Sequence, residues 1–157
     1  MAEWRPVVGY EGRYEVSDDG QVRSFVRSPE GRLLKPWVSG LGHKKVALHK
    51  NGRQKSHWVH QLVAAAFIGP KPKSKEVRHM NGDGGDNRVN NLRYGTPSEN
   101  NFDRVKHGTH HNTAKTHCVR GHEFTSQNTG KNGANGRLCI TCNRERARAY
   151  YHAKKGG

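Results

Sequence analysis

Residues 77–107 read V-R-H-M-N-G-D-G-G-D-N-R-V-N-N-L-R-Y-G-T-P-S-E-N-N-F-D-R-V-K-H, and this stretch limits the available folds more than any other. A short apolar segment ends at His79. A polar, glycine-rich loop follows over Asn81, Gly82, Asp83, Gly84, Gly85 and Asp86, and Asn91-Leu92 then leads through Arg93-Tyr94-Gly95-Thr96 to Pro97. Proline is favoured just inside a helix start, where its missing N–H would have been unpaired anyway. The order predicted is strand, loop, strand, helix. A unit of about thirty residues is too small to bury a core alone, so the rest of the chain must support it. Asp83 and Asp86 are expected to hold their own loop through bonds to its backbone.

The whole chain is short of apolar material. Only 31% of its 157 residues are hydrophobic and the mean hydropathy is -1.03, which favours a modular molecule over one large core. Twenty-eight Lys and Arg face 13 Asp and Glu, a net charge of +15, so polyanions, and nucleic acid first among them, are the expected partners. No long apolar run or basic amphipathic helix points to a membrane. The first residues lack the apolar core of a secretory signal, and three cysteines make an odd count for a disulfide framework. A cytoplasmic protein is expected.

The N-terminal third carries hairpin signals. Tyr14 and Val16 alternate ahead of Asp19-Gly20 and Val22, Pro29-Glu30-Gly31 marks a second turn, and Asn51-Gly52 separates K-V-A-L-H from Q-K-S-H-W-V. The basic residues along these ribbons, Arg13, Arg23, Arg27, Arg32, Lys35, Lys44, Lys45, Lys50, Arg53 and Lys55, suit phosphates or a groove. Residues 58–68 are the best helix, with Leu62, Val63, Ala66 and Phe67 on one face and Gly69-Pro70 as its stop. Trp58 and Phe67 are read as core, and His60 as a structural histidine.

With these elements in place, residues 77–107 resemble the HNH endonucleases, whose active site is a β-β-α-metal finger. His79 falls where that family keeps its general base. Asn91, twelve residues on, matches the middle asparagine, and Asn100, nine further, matches a metal-ligand asparagine on the helix. The subtype resembles phage and intron-encoded homing endonucleases. Trp4, Tyr14 to Ser17, Gly20 and Val22 to Ser24 resemble the nuclease-associated modular domain found beside HNH motifs. The resemblance implies phosphodiester hydrolysis on double-stranded DNA, with His79 taking a proton from water and Asn91 helping to orient it. It also implies one divalent ion, Mg²⁺ or Mn²⁺, at the departing oxygen.

One position departs from the family. The residue before the base is often an aspartate that ligates the metal, and here it is Arg78. Asn100, Asp103 and His107 stand at i, i+3 and i+7 on one helix side, so they are candidate ligands, with Arg78 left to grip phosphate. His110 and His111 are further candidates.

A second site follows. Cys118-x₃-His122 and Cys139-x₂-Cys142 flank a sixteen-residue loop, and two short-spaced pairs of soft ligands suit tetrahedral zinc. His117 is a poor substitute at one residue from Cys118. Between Lys115 and Gly157 nine Lys and Arg oppose Glu123 and Glu145, a balance of +7, and the helix after Cys142 carries Arg144, Arg148 and Tyr151 on one stripe. A zinc module with a basic helix suits DNA.

The expected architecture is α+β and modular. Residues 1–56 form a β-hairpin DNA-binding module, 57–112 the nuclease finger, and 113–157 the zinc-binding module. The chain is expected to act as a monomer on DNA with no obligate protein partner. The competing expectation is a binding-only protein that has lost catalysis through Arg78.

Overall fold

The computed structural model describes residues 1–109, 115–133 and 136–155. His110 and His111 lie outside the described residues, as do the first residues of the expected zinc-binding module at 113–114. Residues 1–107 form one compact unit and 108–157 a second.

In the first unit, β1 (Trp4–Pro6), β2 (Tyr14–Ser17), β3 (Val22–Ser24) and β4 (Arg32–Leu33) make an antiparallel sheet in that order. The turn after β2 closes at Gly20, whose φ of +88° is open to glycine at no cost. A second sheet joins β5 (Trp37–Val38), β6 (Lys44–Lys50) and β7 (Arg53–Trp58). Its long hairpin turns at Asn51 and Gly52, both at positive φ, the primed-turn geometry that matches strand twist.

The chain then enters α1 (Val59–Val63), one residue later than expected, because Trp58 is still paired with Lys45 in the β6–β7 ladder. The helix widens over Ala64–Ile68 into a π turn, closed by Gly69 N–H donating to the Ala64 carbonyl. β8 (Glu76–His79) and β9 (Leu92–Gly95) pair antiparallel, with His79 opposite Leu92. α2 (Pro97–Lys106) begins at a capping box: Thr96 accepts from the Glu99 N–H, and the Glu99 carboxylate accepts from the Thr96 N–H.

The core is continuous through this unit. Val7, Tyr14, Val16 and Val22 from the first sheet, Val46 and Leu48 from the second, Val59, Leu62 and Val63 of α1, and Leu92 of β9 pack together. This core draws on residues from both sides of residue 56. Phe67 packs at the rim of this core, whereas Trp58 stacks on His60 instead.

The second unit holds the hairpin β10 (Thr129–Asn132) and β11 (Gly136–Cys139) and the helix α3 (Ile140–Lys155). No helix among the described residues is long and apolar enough to cross a membrane.

Candidate active site and metal centre

His79 closes β8 and turns its ring into the protein, 9% exposed. Its Nε2 lies 3.3 Å from Oδ1 of Asn87, a residue only 3% exposed. A carboxamide oxygen only accepts, so this pair puts the proton on Nε2 and leaves Nδ1 with a free lone pair. Two other histidines crowd the ring. His43 and His60 have centroids 5.4 Å and 5.1 Å from that of His79, and Trp58 stacks on His60. Burial, opposed by the Asn87 bond and aided by His43, lowers the pKa of His79. Burial first, then His79 and His43, pushes His60 down to about 3. All of this favours the neutral form of the His79 ring.

Asn91 bonds the loop beside His79 and not the ring itself. Its Oδ1 accepts from Asn81 N–H at 2.9 Å, and its Nδ2 donates to Asn81 Oδ1 at 3.0 Å and to the Asp86 carbonyl at 2.8 Å. It clamps the 81–86 loop, and the ring contact falls to Asn87. Asp83 and Asp86 brace the same loop: Asp83 Oδ1 accepts from Gly85 N–H at 2.8 Å, and Asp86 pairs with Arg88 at 2.7 Å. Hydrogen bonds from Arg88 hold the Asp86 carboxyl down to about 2.

The N-terminal sheet supports this loop directly. Val89 N–H donates to the Asp18 carbonyl at 2.8 Å. A side-chain carbon at Gly20 would stand 2.7 Å from Cβ of Asn87, so the β2–β3 turn backs the residue that holds the base. Both Asn87 Nδ2 and His60 Nδ1 are buried without a partner among the described residues.

On α2 the three expected ligands have separate surroundings. Asn100 Nδ2 donates to Glu76 Oε2 at 3.1 Å. Asp103 is taken by Arg78, whose Nε and Nη2 both lie 2.7 Å from its Oδ2. Arg78, expected to be left for phosphate, has its guanidinium between Asp103 and Glu99. His107 packs on the backbone of Gly82, where any side-chain carbon would stand 2.7 Å from its Cγ. The helix spacing alone suggested a shared ligand face. The oppositely charged neighbour on β8 decides otherwise for Asp103.

The second unit brings together the four residues expected from spacing. The ligand atoms of Cys118, His122, Cys139 and Cys142 lie within 4.8 Å of one another. Cys118 and Cys142 sulfurs are 3.7 Å apart, and His122 Nδ1 is 3.2 Å from Cys142 Sγ and 3.7 Å from the other two. A tetrahedron with metal–sulfur bonds of about 2.3 Å has sulfur–sulfur edges of about 3.8 Å, so the cluster fits a zinc-sized ion. Burial and the neighbouring sulfurs of Cys118 and Cys139 push the Cys142 thiol up to about 11, and a bound cation relieves that crowding. His122 turns its other nitrogen toward Glu145, at 4.0 Å. Asn128 donates toward Cys139 Sγ at 3.5 Å. His117 stands outside the cluster and bonds Thr116.

A glycine-rich loop behind a buried histidine, two paired strands and a capped helix make up a ββα unit. Residues 57–102 match the HNH endonuclease family and residues 3–49 match the NUMOD4 motif, so the chain carries an HNH segment behind a NUMOD4 segment. It is 35% identical to the DNA endonuclease I-HmuI of Bacillus phage SP01 over 107 residues, covering 68% of this chain and 60% of that protein. An uncharacterised HNH endonuclease of Acanthamoeba polyphaga mimivirus is 32% identical over 94 residues, 60% of this chain and 27% of its own length. The solved structure of the HNH homing endonuclease I-HmuI, described for DNA binding and cleavage, matches with a TM-score of 0.60 at 35% identity, covering 68% of this chain and 60% of that one. The chain thus spans less than two thirds of the length of these relatives.

Proposed function

We propose that this chain is a DNA endonuclease that hydrolyses a phosphodiester bond in duplex DNA, with His79 as its general base. The observation that carries this reading is the buried His79–Asn87 pair at the end of β8. Its tautomer leaves Nδ1 able to take a proton from an attacking water, and its lowered pKa keeps it neutral at physiological pH. Asn87 is a positioning residue for the ring. Asn91 acts one step further out, by fixing the loop that carries Asn87.

The family uses a divalent cation, Mg²⁺ or Mn²⁺ in this reading, which when bound stabilises charge on the phosphate and the departing oxygen. Mg²⁺ keeps most of its waters and needs only one or two protein oxygens. Asn100 and the adjacent Glu76 carboxylate fit that need. In the second unit Cys118, His122, Cys139 and Cys142 would hold Zn²⁺ as a structural ion.

The net charge of +15 supplies the general attraction to DNA. Arg27, Arg32, Lys35, Arg53 and Lys55 on the ribbons and Arg144 and Arg148 on α3 are exposed and suited to phosphates. The protein would act as a monomer, nicking one strand at its single histidine site, in the cytoplasm where the DNA lies.

Incubating supercoiled plasmid with the zinc-loaded protein and Mg²⁺ tests the reading. Conversion to open circle is expected, with chelator stopping it. A second reading, DNA binding without cleavage, is favoured by the Arg78–Asp103 pair alone, which commits an acidic side chain that hydrolysis would otherwise use. Plasmid that is retarded in a gel yet stays supercoiled across metals would support that reading.

A further inference from the structure

α2 runs for 10 residues and buries none of them. Phe102 and Val105 are exposed, so the helix is not held through the apolar stripe that usually fixes a helix to its neighbours. Its hold on the β8–β9 hairpin is polar. Arg78 reaches Asp103 through two nitrogens at 2.7 Å and Glu99 through a third at 3.4 Å. The side chains of Arg78 and Asp103 are only 14% and 18% exposed, so this pair is sheltered from water. Lys75 adds a longer contact to Glu99 at 4.0 Å, and Asn100 bonds Glu76.

The hairpin is shaped for this arrangement. The Arg78 stem lies over Gly95, buried in β9, and a side chain at that position would collide with Arg78 Cδ. A planar guanidinium meeting two carboxylates from successive turns of one helix fixes both the helix's height and its rotation. Removing either partner of such a sheltered pair strands the other's charge.

We propose that Arg78 is a positioning residue that pins α2 to β8 and, by occupying Asp103, withholds that carboxylate from a divalent ion. The inference rests on the nuclease reading only for what α2 carries into the site, namely Asn100. It assigns Arg78 a task within the protein in place of direct contact with DNA phosphate.

The test is hydrogen–deuterium exchange over residues 97–106 in the full, zinc-loaded chain, without DNA. Arg78→Met, which keeps the stem over Gly95, and Asp103→Asn should each speed exchange in α2 by about tenfold, the equivalent of one lost net interaction. The exchanged pair, Arg78→Asp with Asp103→Arg, should recover most of the protection. Unchanged exchange in both single variants overturns the proposal, as does a swapped pair that exchanges as fast as Arg78→Met. If Arg78→Met does not fold, the nearly isosteric Asp103→Asn and the swap carry the comparison. A second measurement is the Mg²⁺ concentration giving half-maximal plasmid nicking. Asp103→Asn should raise it only as far as Arg78→Met does, since both loosen α2 and neither side chain is a ligand, and a rise about tenfold larger for Asp103→Asn than for Arg78→Met would restore Asp103 as a ligand and overturn the proposal. A parent protein that nicks no plasmid would remove the nuclease reading, while the exchange data would still decide the pin.

Discussion

Asn87 Oδ1 receives the Nε2 proton of His79 at 3.3 Å, and the Cβ of that same asparagine rests on Gly20 of the N-terminal sheet. The ring of His79 is therefore in contact with a residue that packs against a turn far away in sequence. Asn87→Ala should lower the nicking rate by about tenfold or more by freeing the imidazole. Asn87→Asp should behave differently. A carboxylate beside the ring favours the imidazolium, so the acidic limb of the rate profile should move to higher pH. Single-turnover nicking as a function of pH checks both.

Gly20 provides an independent probe of this support. Its φ is +88°, and a methyl there would press on Asn87. Gly20→Ala should cost about 1–2 kcal/mol of stability and should also slow nicking, although the residue lies outside the HNH segment. Urea unfolding together with nicking rates measures the two effects. Lost stability with an unchanged rate would show that the turn does not act on Asn87.

Acid should unfold the first unit through its buried imidazoles. The folded pKa of His60 is depressed to about 3 from a usual value near 6.5, so the unfolded chain binds the proton more readily. The contribution is intact above about pH 6.5 and is lost as pH falls toward 3, by about 2 kcal/mol between pH 6.5 and 5. His79 shifts in the same direction. Trp4, Trp37 and Trp58 all lie in residues 1–107, so tryptophan fluorescence follows this unit in urea titrations. His60→Gln should flatten the pH dependence.

Removing zinc should unfold the second unit selectively. Among its described residues Cys139 is the one buried apolar side chain, and it belongs to the candidate metal cluster. A metal-held module of this kind loses its folding energy with the ion. After chelation, amides of β10, β11 and α3 should exchange freely while the tryptophan fluorescence of the first unit is unchanged. Cys142→Ser should have the same effect without a chelator.

Local chemistry made much of this legible in the sequence. Asp19-Gly20 and Asn51-Gly52 specify their turns through backbone conformations that few residues adopt, and Thr96-Pro97 with Glu99 specifies a helix start. Cys118, His122, Cys139 and Cys142 announced their cluster because soft ligands at short spacing have little other use. What stayed hidden depends on packing between distant segments. His43, His60 and His79 meet only because β6, α1 and β8 share one core. The family resemblance matches Asn91 to the middle asparagine, and the contact of Asn87 with the His79 ring comes from loop geometry that spacing does not reveal. Helix periodicity placed Asp103 beside Asn100 correctly but carried no information about Arg78 on the facing strand.

Replacement of His79 by alanine is the most direct measurement, made as single-turnover nicking of supercoiled plasmid by the zinc-loaded protein in Mg²⁺ at pH 8. The variant should bind plasmid as the parent does and nick it at least about a hundredfold more slowly, the usual loss when a general base is removed. Nicking by His79→Ala at the parent rate would contradict the assignment of the base and, with it, the proposed mechanism.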